Sequence, residues 1–166
     1  MAETPPGLGA LPDAPRHDRV EVGQLWLARP DRGTDLLVLV VGVYTDQVEA
    51  LVCGPDWQLA TDTDSVLEPA ATGYLRRLLV HGDACGRIPT RRLAGPVGRV
   101  APELAERIAL RGRGLDFGST DLGRGRAILD DTDPRWENKL EQFRRLRGVR
   151  ARAGEVGLSL HRLRDG

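Results

Sequence analysis

Aromatic side chains make up only 4% of these 166 residues. That is too few for an aromatic cage or for a sheet that stacks RNA bases on its rings. Cysteine is nearly as scarce. Cys53 and Cys85 cannot build a disulfide-rich scaffold or a four-cysteine zinc site. An excess of either charge is missing too, since Lys+Arg and Asp+Glu both number 24. A histone-like coat for nucleic acid is therefore excluded, while local basic patches are not. Lysine is absent but for Lys139, every other basic side chain being arginine. That bias fits a GC-rich genome rather than a chemical demand. Long apolar runs are also lacking: Leu36 to Tyr44, interrupted by Gly42, is less than half a bilayer span. Met1 to Val22 carries Glu3 and four prolines where a signal peptide needs an unbroken apolar stretch. A reducing cytoplasm is the expected compartment, with no membrane contact. The length suits one compact domain with modest tails.

What is present reads first as strands. Residues 1–19 are rich in Pro, Gly and Ala without periodicity, which predicts a flexible tail. Val20–Ala28 predicts a strand with Val22, Gln24, Trp26 and Ala28 on one face. The turn Pro30-Asp31-Arg32-Gly33 follows. Leu36–Val41 is apolar on both faces, hence a central strand, which Gly42 ends or bends. Val48–Cys53 predicts a third strand. Leu75–His81 predicts a further one ending at Gly82, and the β region stops near Pro96–Val100. Ala101-Pro102-Glu103 opens a helix with Leu104 and Ile108 inward, closed by Gly112. Residues 112–131 read as a Gly/Arg-rich connector. Asp133 is a natural N-cap and Pro134 a natural first helical residue. Trp136, Leu140, Phe143 and Leu146 then form one stripe of an amphipathic helix. Val156, Leu158 and Leu160 alternate as in a last strand.

The order of these elements carries a resemblance. Gly23-Gln24-Leu25-Trp26-Leu27 opens the series and Leu37-Val38-Leu39-Val40-Val41 follows. Then come Thr72-Gly73-Tyr74, Leu79-Val80-His81-Gly82-Asp83, Ile88-Pro89-Thr90-Arg91-Arg92-Leu93, Val97-Gly98-Arg99-Val100 and the helix from Pro102. Over residues 20–110 this resembles the MazF/PemK-like toxins of bacterial toxin–antitoxin pairs. The resemblance implies a mainly β, α+β fold. A small SH3-like barrel would span residues 20–111, with a helical extension over 112–166. It also implies a metal-independent endoribonuclease that cleaves single-stranded RNA as a homodimer without a cofactor. Members carry an arginine beside a proline before the second strand, and a threonine or serine after the third. Here that loop is Pro30-Asp31-Arg32-Gly33-Thr34-Asp35, with Arg29 on the other side of Pro30, and the third strand ends in Cys53-Gly54-Pro55. Arg29 or Arg32 would then hold the phosphate, assisted by Thr34 or Thr61. The same departures favour a second expectation, a non-catalytic barrel serving as an interaction or assembly module.

The remaining candidates come from the residues themselves. An arginine fork can grip a phosphate and stabilise charge developing on it, which is the functional reading of Arg29 and Arg32. The bland reading is a pair of solvated loop arginines, one held by Asp31 or Asp35. His81, Asp83 and Cys85 alternate and would share one face of a strand. Gly82 and Gly86 speak against a metal site there and for a surface His and Asp beside a buried Cys. The acidic run Asp62–Asp64 reads as a polar surface loop, since it lacks the glycine and glutamate of an EF-hand. Arg144, Arg145, Arg147 and Arg150 give the C-terminal helix a basic face. Two readings stay open for it: a phosphate-contacting surface, or solvated arginines offsetting the helix dipole. Lys139 belongs to this same outward charge. The stripe Trp136, Leu140 and Phe143 packs on the chain's own barrel or, alternatively, meets a protein partner or second copy.

Overall fold

The run that is apolar on both faces lies near the middle of the sheet, where two layers of side chains cover it. The computed structural model describes residues 19–115, 122–123 and 125–150. β1 (Gln24–Ala28), β2 (Leu36–Val43) and β3 (Gln47–Gly54) form an antiparallel meander. β4 (Ser65–Leu67), the single turn α1 (Pro69–Thr72), β5 (Leu78–Pro89) and β6 (Leu93–Arg99) follow, then the helices α2 (Pro102–Gly112) and α3 (Pro134–Val149). One six-stranded sheet results, in the order β4-β5-β3-β2-β1-β6. The fold is mainly β with C-terminal helices, as the sequence predicts.

Alternation sorts the core into two layers. Trp26, Val38, Val40, Ala50 and Val52 face one way, with Leu146 and Val149 of α3 closing over them. Leu25, Leu39, Leu51 and Cys53 face the other way, beneath Ala105 and Ile108 of α2. The sheet curls so that α1, beside its β4 edge, meets β6 at the other edge. A Cβ on Gly98 would stand 2.7 Å from the Thr72 carbonyl oxygen.

Several boundaries differ from expectation for local physical reasons. The first strand begins at Gln24 rather than Val20, because Gly23 turns the chain with φ 94° and pairs with both Val40 and Val100. Gly42 does not end β2, which continues to Val43 past an irregularity between Val40 and Gly42. β5 does not end at Gly82. It starts at Leu78 and runs to Pro89, because Gly82 and Gly86 are points of close approach rather than turns. The β region stops at Arg99, as expected, and the stretch that closes it is a strand of its own, β6, at an edge where Pro96 and an irregular register against β1 are tolerated.

Burial brings three further corrections. Residues 61–65 are no surface loop, since Thr61, Asp64 and Ser65 are enclosed. His81 is buried and Cys85 exposed, the reverse of the sequence reading. The β3–β5 ladder is irregular between Leu51 and Cys53, which breaks the alternation there. Asp133 caps α3 as expected, accepting from the Arg135 backbone N–H. Yet α3 faces the sheet with Lys139, Gln142, Leu146 and Val149, while Trp136 and Leu140 are each 42% exposed. Phe143 packs partly against the core. The tail over residues 1–18 and the strand expected around Val156–Leu160 lie outside the described residues. No helix among the described residues is long and apolar enough to cross a membrane.

Gly82 yields a sharp stability test. A Cβ there would lie 2.0 Å from the Thr63 carbonyl oxygen and 2.7 Å from Gly112 Cα. Gly82→Ala is expected to destabilise the fold by about 3 kcal/mol, read from urea unfolding. Gly95→Ala, with no atom within 4 Å of the new methyl, is expected to stay within about 0.5 kcal/mol of the parent.

Candidate nucleic-acid interface

The β1–β2 loop and the last turns of α3 meet, and arginines gather where they do. Gly148 lies over Pro30. In the loop, Arg29 pairs with Asp35 at 3.6 Å and its backbone N–H donates to the Arg92 carbonyl. Arg92, from the single 3-10 turn before β6, returns a bond to the Arg29 carbonyl and pairs with Asp31 at 3.0 Å. A cavity of about 460 Å³ opens here, lined by Asp31, Arg32, Arg92, Arg147, Gly148 and Arg150. Four guanidinium groups share it with one carboxylate. Such a site favours an anion with several oxygens.

A second cavity of about 470 Å³ lies against the same loop. Leu27, Leu37, Cys53 and Leu78 give it apolar walls, and Asp35, Tyr74, Arg76 and Arg145 give it polar ones. The two chain positions that the resemblance singles out meet here: Asp35 just before β2, and Gly54-Pro55 at the end of β3. Neither brings the expected side chain. Cys53 Sγ is enclosed and donates to the Leu51 carbonyl at 3.7 Å, and burial pushes its thiol far up, so no thiolate nucleophile forms. The cationic groups come instead from Arg76 and from Arg145, whose Nη2 donates to the Asp35 carbonyl at 3.4 Å.

The other residues expected at a site are dispersed. Thr34 is exposed in the loop and lines neither cavity. Thr61 is 1% exposed and donates its hydroxyl to Asp64 Oδ2 at 3.0 Å, so it offers no free hydroxyl to a ligand. Arg144 is exposed and paired with Glu141. Arg76 and Arg92 are not legible as site residues from sequence: Arg92 reaches the β1–β2 loop through the pairing of β6 with β1, and Arg76 comes from the segment before β5.

Behind this surface sits a buried polar centre. Lys139, counted among the outward charges from sequence, is 5% exposed and turned inward. Its Nζ donates to Asp83 Oδ1 at 2.7 Å and Oδ2 at 2.8 Å, and to Asp64 Oδ1 at 3.2 Å. Asp64 also accepts from the backbone N–H groups of Thr61 and Gly82. His81, 2% exposed, lies beside them, and its Nδ1 has no hydrogen-bond partner among the described residues. Burial pulls the His81 pKa below 6.5, the Asp64 and Asp83 carboxylates opposing and the Lys139 ammonium reinforcing that shift. On β5, Cys85 is exposed as a residue, but its sulfur is partly desolvated and donates to Glu49 Oε1, and that desolvation, then the bond, push its thiol up to about 12.

The lowered His81 pKa fixes a sign. The unfolded chain takes the proton first, so the stabilisation is complete above 6.5 and is lost as pH falls below it toward the folded value. Urea midpoints of the parent should therefore drop between pH 8 and pH 5.5 more steeply than those of His81→Gln. Parallel midpoints in the two proteins would remove His81 as the source.

No family model matches the chain, and neither does any curated protein. Among solved structures, it is similar to the Mycobacterium tuberculosis toxin MazF-mt6, at 18% identity over 57% of this chain and 99% of that one, with a TM-score of 0.46.

Proposed function

We propose that this chain is an RNA-acting protein of the toxin–antitoxin type, working as a cytoplasmic homodimer on single-stranded RNA. The phosphate backbone lies across the β1–β2 loop, with Arg32, Arg92, Arg147 and Arg150 on one side and Arg76 and Arg145 on the other. One observation carries the reading. A chain of zero net charge brings arginines from three separate elements to one cleft that holds a single carboxylate. Phosphate contacts of that kind give affinity without sequence choice. Cleavage would proceed by attack of a 2′-hydroxyl on the adjacent phosphorus, forming a 2′,3′-cyclic phosphate as the bond to the 5′-oxygen breaks, with water taking the 2′-hydroxyl proton and supplying one to the departing 5′-oxygen. Arg29 and Arg32 would stabilise the charge that develops on the phosphoryl oxygens, with Thr34 beside them and no metal required.

A second reading has its own support. β3 ends in Cys53-Gly54-Pro55 with an enclosed, protonated thiol where a hydroxyl is expected. That favours a barrel that grips RNA or a protein without cutting, with Trp136 and Leu140 open to a partner.

Incubating the protein with mixed-sequence RNA separates the two. The nuclease reading expects cleavage that falls about 100-fold or more in Arg29→Ala/Arg32→Ala. Binding without cleavage would select the second reading. Arg147→Glu/Arg150→Glu is expected to weaken RNA binding and to flatten its salt dependence by at least about 0.7 for each phosphate left without its arginine. Unchanged binding in that variant would exclude the cleft as the RNA surface.

A further inference from the structure

We propose that Lys139 is the positioning residue of the phosphate cleft. Its ammonium, held between Asp64 and Asp83, fixes the rotation of α3 on the sheet and so sets Arg145, Arg147 and Arg150 against the β1–β2 loop. The proposal deepens the RNA-binding reading above and rests on it.

Two faces of α3 compete for the sheet. One is the stripe Trp136, Leu140, Phe143 and Leu146. The other is Lys139, Gln142, Leu146 and Val149, with Leu146 common to both. At 100° per residue the centres of these faces are about 85° apart. Burial of apolar area alone favours the first, which holds the larger side chains. The structure buries the second, though half of its members are polar, and leaves Trp136 and Leu140 exposed. What distinguishes the second face is Lys139. Its three donors meet Asp83 at 2.7 and 2.8 Å and Asp64 at 3.2 Å, and Asp64 is wholly enclosed. The positions flanking Lys139 on the helix are the uncharged Asn138 and Leu140, so a rotation that brings either of them to Asp83 takes the ammonium away from both carboxylates. A buried ion pair of this kind adds little net stability but selects one arrangement over its rivals.

Shape then completes the seat. Gly86 of β5 lies beneath the C-terminal half of the helix, and a Cβ there would stand 3.1 Å from Leu146 Cδ1 and 3.2 Å from Arg150 Cγ. Charge sets the rotation at Lys139, and a hollow receives the helix two turns later. With both satisfied, Arg145 reaches the Asp35 carbonyl, and Arg147 and Arg150 line the cleft with Arg32 and Arg92. Lys139 lines neither of the two arginine cavities. It acts on a ligand only through the helix.

The test uses the full chain, a twelve-nucleotide oligouridylate as probe, and two variants that leave every arginine in place. Lys139→Met removes the cation. Gly86→Val fills the hollow without changing charge, and it carries the test if Lys139→Met fails to fold. Each is expected to weaken RNA binding about tenfold at low salt and to lower the salt slope by about 0.7 per phosphate that the arginines no longer reach. A structural role alone would not produce two further signatures. First, in an Arg145→Ala/Arg147→Ala/Arg150→Ala background, Lys139→Met should cost no further affinity. Second, in a Trp57→Phe background, acrylamide should quench Trp136 less in Lys139→Met than in the parent, as the apolar stripe turns inward. Parent-like affinity and slope in both variants overturn the proposal, and so does an undiminished effect without the three arginines. If the parent itself binds no RNA, the reading beneath the proposal fails. Trp136 quenching then decides the positioning separately, and an unchanged value overturns that as well.

Discussion

A lysine ammonium enclosed by two carboxylates is costly to assemble, since each ion gives up its water. In this chain the arrangement ties together segments far apart in sequence: the turn before β4, the middle of β5, and α3. Asp64 is the hub. It accepts from Lys139 and from the backbone of Thr61 and Gly82, so the polar turn over residues 61–65 is folded around it. Gly82 can enter this centre only because it has no side chain, with Gly112 of α2 pressed against it from the other side. Both helices thus reach the sheet around one stretch of β5.

That centre explains the choice of lysine in a chain otherwise furnished with arginine. A guanidinium is planar and forked, suited to surface pairing and to phosphate. A compact ammonium with three rotatable donors fits between two carboxylates in a closed space. The arginine bias looked like genomic composition, yet the one exception falls where the chemistry calls for it. The same division of labour runs through the molecule, with arginines at the two open cavities and the lysine in the buried cluster with Asp64.

Much of the fold was legible in the residues. The doubly apolar run Leu36–Val41, the cap Asp133-Pro134 and the Pro102 helix start are local signals with local causes, and each appears in the structure. Glycine misled most. Gly82 and Gly86 read as chain breaks, yet they are packing contacts inside one long strand, and a one-dimensional pattern cannot tell a turn from a close approach. The helix stripe misled in part. Apolar periodicity identified α3 and set Leu146 and Phe143 toward the core, where they lie, but it also placed Trp136 and Leu140 there, and these are exposed. At the candidate interface, Arg32, Arg145, Arg147 and Arg150 could be named from sequence. Arg92 and Arg76 could not, since Arg92 comes to the loop through the long-range pairing of β6 with β1 and Arg76 from the segment before β5.

The sheet's two outer strands finish differently from its interior. β4 is three residues long, and Val66 within it is bridged by Gly123 from the connector. β6 carries Pro96, which has no N–H to donate, and its pairing with β1 slips twice. Short, covered or interrupted borders of this kind offer poor templates for another strand. A second chain, whether a copy of this one or a different protein, therefore gains little by lengthening the sheet. Association must come through side chains on its faces and helices, where single substitutions can tune it without disturbing backbone pairing.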